Sequence, residues 1–252
     1  MSYLSRIDHA FSDAPVLPLS ENGRYVLFSD CHRGIGTSND NFLKNQHLYF
    51  AALNYYYQHS FCYIELGDGD ELWENRSFSA IQNIHSNVFW LLSLFYEEHR
   101  LFMLFGNHDI AKKDFHPFSD CCFHEGLRLK DCVTGQELYL THGHQADFFN
   151  STLWRLSCFL VRYLWKPLEQ FGVLDPTSAA KNYKVKNKTE RRLQEWTKLY
   201  KKILITGHTH RPVLGSKDSL YFNTGSCVHP RCITCIELVH RELSLVKWTL
   251  ST

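Results

Sequence analysis

The sequence predicts an α/β domain, and three observations carry that expectation. Apolar runs rich in β-branched and aromatic residues alternate with stretches whose apolar residues recur at helical spacing. Five of the apolar runs end in short clusters of Asp, His, Asn and Gly. No segment reaches the roughly 18–20 uninterrupted apolar residues of a membrane span.

The elements follow in order. RYVLFSD (24–30) reads as a strand ending in Asp30. Residues 41–58 carry Phe42, Gln46, Tyr49, Leu53 and Tyr56 at helical spacing. FCYIELGD (61–68) is a second strand, ending in Asp68. Residues 78–98 read as one helix, with Ile81, Ile84, Val88, Leu91, Leu92 and Phe95 on its apolar face. RLFMLFGNHD (100–109), ELYLTHGH (137–144) and KILITGHTH (202–210) are three more strands running into polar ends. SLYFNTGS, CITCIEL and LSLVKWTL are closely spaced strands, which predicts antiparallel pairing among them.

Composition narrows the function. The 252 residues suffice for one well-buried domain, taken as 1–252. Hydrophobic residues at 44% and charged residues at 21% exclude disorder as the main state. A net charge of +1 gives no overall field towards a polyanion. The 15 His are a surplus that points to metal binding. The nine Cys are an odd number, and MSYLSRIDHA lacks the basic start and apolar run of a secretory signal. Reduced thiols in a cytoplasmic protein are therefore expected. Cys232-x-x-Cys235 lies in a strand pattern, where residues three apart face opposite sides, so it predicts no zinc site.

The strand ends hold the chemistry. In chain order they are Asp30-Cys31-His32, Gly67-Asp68, Gly106-Asn107-His108-Asp109, His142-Gly143-His144 and Gly207-His208-Thr209-His210. In open α/β sheets the carboxyl ends of strands are where ligands bind. Carboxylate, amide and imidazole donors suit Mn, Fe or Zn. Asp30, His32, Asp68, Asn107, His142, His208 and His210 are seven donors, more than one catalytic ion with open positions can use. Two ions sharing a carboxylate would use them.

These five blocks, in this order, resemble the signature blocks of the calcineurin-like metallophosphoesterases, and they span residues 30 to 210. The resemblance implies a four-layer αββα sandwich of two mixed sheets flanked by helices, with the metals at the strand carboxyl ends. It implies that Asp30, His32 and His210 hold one divalent ion and Asn107, His142 and His208 the other. Asp68 would bridge them, with Mn the first expectation and Fe or Zn acceptable. It also implies direct attack of a metal-activated water on a phosphoester or pyrophosphate bond. His108 would be general acid or transition-state stabiliser, and Asp109 would orient it. His144 is expected to support the site from behind rather than ligate.

Within the family, LGDGDELWE is most similar to the UDP-2,3-diacylglucosamine hydrolase branch, through Gly67, Asp68, Glu71 and Trp73. That likeness implies a lipid-linked, UDP-sugar-like substrate and a helical lid. Glu71 itself reads either as a helix cap or as support for the bridging region. About sixty residues separate His144 from His208, so a helical insertion is expected at about 145–200. Residues 148–171 are rich in large apolar groups, with Arg155, Arg162 and Lys166 on one helical stripe. Such a segment suits acyl chains or peripheral contact with the inner face of a membrane. Arg155 and Arg162 are candidate substrate contacts. Arg33, directly after His32, reads either as a phosphate contact or as a surface loop residue.

Two features point elsewhere. The branch carries Arg where this chain has His108, which leaves another phosphoester open as substrate. Residues 181–202 hold nine Lys and Arg against two Glu, a run that suits steering of a phosphorylated substrate or a solvated face. A nucleotide or nucleic-acid phosphodiesterase is the alternative, although the balanced net charge makes nucleic acid the weaker partner. A non-catalytic scaffold is disfavoured, because such chains lose ligands and this one keeps all seven.

Overall fold

A computed structural model of the chain describes residues 1–37, 40–114, 118, 123–165 and 183–250. A six-stranded sheet is ordered β11-β10-β2-β3-β4-β5, with β2 at Arg24–Phe28, β3 at Cys62–Leu66, β4 at Leu101–Leu104, β5 at Phe123–His124, β10 at Cys232–Val239 and β11 at Glu242–Thr249. The run β2-β3-β4-β5 is parallel, and the β10-β11 hairpin adds to it antiparallel. A five-stranded sheet is ordered β1-β6-β7-β8-β9, with β1 at Val16–Leu19, β6 at Gly126–Asp131, β7 at Glu137–Thr141, β8 at Ile203–Thr206 and β9 at Tyr221–Asn223. It is also mixed, with β6-β7 antiparallel and the other pairs parallel.

Helices cover both outer faces. Helix α1 (Tyr3–His9) is capped by Ser2, whose hydroxyl accepts the Ser5 amide. Helices α2 (Gln46–Gln58), α3 (Phe78–Ile84) and α4 (Ser86–Glu97) follow. Short helices α5 (Phe148–Ser151) and α6 (Trp154–Leu160) lead into a π-helical turn at Val161–Trp165. Helix α7 (Tyr183–Tyr200) closes the set. Phe28 on β2 and Tyr63 on β3 pack against Tyr49, Tyr56 and Leu92 of α2 and α4 in one core. Leu27, Ile64, Leu104, Leu138, Leu140 and Ile205 fill a second core between the sheets. Ile7 of α1 and Leu193 and Trp196 of α7 cover the other side of the five-stranded sheet. Alternating residues of each strand serve two cores, which is what burying both faces of a sheet requires. The order of layers is therefore αββα.

Three sequence expectations are corrected. The helix expected over 78–98 is two helices that meet at His85. His85 is fully buried and its Nε2 meets Asp40 Oδ2 at 2.9 Å, so the backbone turns to serve that pair. The turn leaves Ile84 48% exposed instead of on the apolar face. The helix expected over 41–58 begins as a 3₁₀ turn at Leu43–Asn45 and becomes α-helical at Gln46. The strand in SLYFNTGS does not join the last hairpin; β9 pairs parallel with β8 in the other sheet.

Helix α7, in the segment where an insertion was expected, builds the outer layer through buried Leu193 and Trp196. Residues 166–182, including Lys166, Leu168, Phe171 and Lys181, lie outside the described residues, as do Cys121 and Cys122. The described cysteines are free thiols. Among the described residues, no helix is long and apolar enough to cross a membrane.

Candidate metal centre

Both sheets deliver side chains to one edge. Asp30 and His32 follow β2, Asp68 follows β3 and Asn107 follows β4, all in the six-stranded sheet. His142 follows β7, and His208 and His210 follow β8, in the five-stranded sheet. The structure gathers two groups: Asp30 with His32 and His210, and Asp68 with His142 and His208. Within each group the donor atoms lie within 4.8 Å of one another.

Asp68 Oδ2 lies between the groups, 3.0 Å from His142 Nε2 and 3.9 Å from His32 Nε2. In the first group, His210 Nε2 is 3.1 Å from Asp30 Oδ1 and 3.3 Å from His32 Nε2. Donors at about 2.0–2.2 Å from a common ion stand roughly 3–3.5 Å apart, so the 3.0, 3.1 and 3.3 Å spacings fit the edges of a coordination shell and the 3.9 Å one is longer. Asn107 is buried in the loop that the His108 amide ties to Asp68 Oδ1 at 2.7 Å.

The hydrogen bonds set the imidazoles for this role. His142 Nδ1 donates to the Leu66 carbonyl at 2.8 Å, which leaves Nε2 as the lone-pair nitrogen. His32 Nδ1 donates to Glu71 Oε2 at 2.8 Å with the same consequence. The buried Asp30 Oδ1, Asn107 Oδ1, His142 Nε2 and His208 Nε2 have no aligned hydrogen-bond partner. The close approaches of His210 to Asp30 and of His142 to Asp68 are donors side by side, not aligned hydrogen bonds. Unsatisfied buried polar atoms are rare in folded proteins and ask for an explanation such as an ion. The residues present therefore fit divalent cations.

Backbone conformation supports the same reading. Asp30, His32, Asp68, His208 and His210 all have positive φ, between 49° and 69°. Such conformations are uncommon for non-glycine residues and cluster at functional sites. Gly106 allows the loops to approach closely: a Cβ there would lie 2.2 Å from Asp68 Oδ1 and 2.7 Å from the Asp68 amide nitrogen. Gly106→Ala is expected to push Asp68 off its position. Calorimetric melting should show a loss of about 1–3 kcal/mol, and Mn binding should weaken at least tenfold.

Electrostatics divide the group. Burial raises the Asp30 pKa, but the His210 imidazole outweighs it and holds the carboxyl down at about 2. Asp68 is likewise held well below the carboxylate range by His142 and His108, against the effect of burial. Burial opposes charge on His142, yet Asp68 raises it to about 9. His208 is pushed down to about 3 by burial and by His142. Burial also opposes charge on His32, but Glu71 raises its pKa, so imidazoles beside the carboxylates are pushed toward the charged form and metal uptake competes with protons.

His108 sits at the edge of the site, its ring centroid 4.7 Å from that of His32. Its Nδ1 meets Glu71 Oε1 at 2.8 Å, and the Trp73 ring stacks on it at 4.2 Å. Burial lowers the His108 pKa, but Glu71 and Asp68 raise it to about 10.

The placement corrects two expected roles. Asp109 does not orient His108. Its carboxylate accepts the amides of Gly106, Asp68 and Gly69 at 2.7, 3.1 and 3.0 Å and so holds the loops themselves. Glu71 orients His108, and the same carboxylate holds His32. Arg33 does not face the site: it is fully buried, with Nε 2.7 Å from Asp70 Oδ1 and Nη2 2.9 Å from Glu65 Oε2. Two carboxylates hold its Nε and Nη2, and burial of the whole guanidinium keeps it from a substrate.

The other candidates fall as follows. Arg162 donates to the Trp73 and Leu72 carbonyls at 2.6 and 2.8 Å, which pins the π-helical turn to the Glu71 loop. The Arg155 guanidinium lies over the Trp154 ring at 5.4 Å. His144 is buried with its ring centroid 5.5 Å from that of His142 and Nδ1 without a partner. Two residues went unread in the sequence. Lys112 supports Asp109 from below. Glu190 on α7 accepts from Thr209 Oγ1 at 2.9 Å and pairs with Arg211, tying α7 to the loop that carries His208 and His210. No local motif marks either; only the acids of LGDGDELWE gave a signal for Glu71.

No family model matches the chain, and no curated protein matches it in sequence. Among solved structures, a conserved uncharacterized protein and predicted phosphoesterase from Streptococcus pneumoniae TIGR4 is similar, at 14% identity and a TM-score of 0.38. The match covers 91% of this chain and 98% of that one. A proposed diadenosine tetraphosphatase is similar at 13% identity and a TM-score of 0.43, over 94% of this chain and 100% of that one. Neither likeness is close enough to bear on activity, and the chemistry of the site rests on its own side chains.

Proposed function

We propose that this protein is a metal-dependent hydrolase of phosphoester or pyrophosphate bonds. The observation that carries the proposal is the meeting of two donor groups on either side of Asp68 Oδ2 at the carboxyl ends of strands from both sheets. Asp30, His32 and His210 would hold one divalent ion and Asn107, His142 and His208 the other, with Asp68 shared. Mn is the first choice for donors of this type, with Fe or Zn also compatible. Bound there, a pair of such ions would supply Lewis acidity, lower the pKa of water and neutralise phosphoryl charge.

The chain's own residues do the rest. Glu71 fixes the His32 and His108 rings at once, so the ligand and the acid keep one spacing. Glu71 and Asp68 keep His108 protonated at neutral pH, so it can donate to a phosphoryl or leaving-group oxygen. Trp73 covers one face of the ring and excludes water from it. Arg162 braces the loop bearing Glu71 and Trp73.

A lipid-linked substrate is the finer proposal. Phe148, Phe149, Leu156, Phe159, Tyr163 and Leu164 are all more than 40% exposed on the segment that Arg162 docks beside the site. An apolar surface there suits an acyl group or the face of a membrane. The test is hydrolysis of bis-p-nitrophenyl phosphate, p-nitrophenyl phosphate and a lipid-linked UDP-sugar, each with Mn. Cleavage of the first two alone sinks the lipid proposal, and no Mn-dependent cleavage of any sinks the hydrolase reading. His108→Ala should retain both metals and the wild-type melting behaviour while kcat falls by about 10²–10⁴-fold. Unchanged turnover would remove His108 from the chemistry.

A further inference from the structure

Behind the metal loops lies a cluster of five charged groups. Glu65 is on β3, Asp70 follows Gly69, and Asp109 follows His108. These three, with Arg33 and Lys112, are all at 0% exposure. The three carboxylates offer oxygens within 4.8 Å of one another, a spacing that would admit a metal ion. The Lys112 ammonium stands there instead, 2.5 Å from Asp70 Oδ2, 2.8 Å from Asp109 Oδ2 and 3.7 Å from Glu65 Oε1. Arg33 completes the cluster through Asp70 and Glu65. Burial disfavours a charged lysine, but three adjacent carboxylates outweigh it, so the ammonium persists.

The ammonium fixes Asp109, and Asp109 fixes the loops. Asp109 Oδ1 accepts the amides of Gly106 and Asp68, and Oδ2 those of Gly69 and, at 3.4 Å, Asp70. Those amides flank Asp68 and Asn107, which come from different strands. We infer that Lys112 is a positioning residue of the metal centre, an internal cation that holds Asp109 where its carboxylate clamps the Asp68 and Asn107 loops in register. The inference rests on the reading of the site as a metal centre. Without the ammonium, Asp70 and Asp109 would share a buried space with one cation fewer and would move apart. The two loops would then lose their common anchor.

The test uses the whole chain and Mn(II) alone. Manganese is titrated into metal-free wild type, Lys112→Met, Lys112→Gln and Lys112→Arg, and electron paramagnetic resonance reads free and bound ion. In wild type, two bound ions sharing Asp68 should give an exchange-coupled spectrum. Loss of supporting partners behind metal ligands weakens metal binding by about 10–100-fold, and that loss is expected for Met and Gln together with loss of the coupled spectrum. Arg keeps the charge and should bind manganese more tightly than Gln and retain the coupled spectrum. A folded Gln variant with wild-type affinity and coupling overturns the inference alone, as does an Arg variant no better than Gln. If Met does not fold, Gln and Arg decide. Wild type that binds no manganese overturns the metal reading itself, so the two failures are distinct.

Discussion

Replacing Asp68 by Ala is expected to abolish Mn-dependent phosphodiester hydrolysis and to leave at most one metal site occupied. Asp68 Oδ2 is 3.0 Å from His142 Nε2 and 3.9 Å from His32 Nε2, so if Asp68 is shared as proposed, its removal takes a ligand from both ions at once. Asp68 Oδ1 also accepts the His108 amide, which ties the Asn107 loop to the site. Loss of one preorganised electrostatic contact costs about 10²–10³ in kcat. A shared ligand acts on two ions, so the fall should reach or exceed the upper figure. Metal content by elemental analysis and initial rates with bis-p-nitrophenyl phosphate give the two readouts. A variant that still binds two ions would show that Asp68 is not shared.

Arg33→Met is expected to destabilise the fold by about 3–5 kcal/mol, the cost of leaving a buried charge without its partner. Its guanidinium is the counter-ion of both Asp70 and Glu65, and all three side chains are fully buried. Chemical denaturation measures the loss. The sequence position, directly after His32, suggested either a phosphate contact or a surface loop residue. Either role would leave stability alone, and the first would also raise KM, so the readings separate cleanly. Because Asp70 lies two residues after Asp68, metal binding should weaken in the same variant.

The likeness to metallophosphoesterases was legible because its information is local. Each candidate ligand sits within a few residues of a strand end, and the run of Asp, His, Asn and Gly after an apolar stretch is a pattern of neighbours. The donor types, carboxylate, amide and imidazole, suit coordination of a divalent ion. The supporting groups were not legible, because their partners are far apart in sequence. Arg33 meets Glu65 and Asp70, 32 and 37 residues away. Glu71 meets His32 and His108, 39 and 37 residues away. Nothing in the local sequence distinguishes an arginine that faces solvent from one that is sealed between carboxylates.

The sequence by itself determined the alternation of strands and helices, the five polar strand ends and the seven candidate donors they carry. Those are consequences of residue type and period, which act over a few residues. The resemblance already implied two mixed sheets; only the tertiary structure decided which strands each sheet holds and which of them end at the site. It alone placed β9 beside β8, broke the helix at His85 to serve Asp40, and gave Asp109 to the backbone and Glu71 to His108. The physical reason is the same in each case: a buried charge or hydrogen-bonding group must find a partner, and which partner lies within about 3 Å is settled by packing, not by neighbours in the chain.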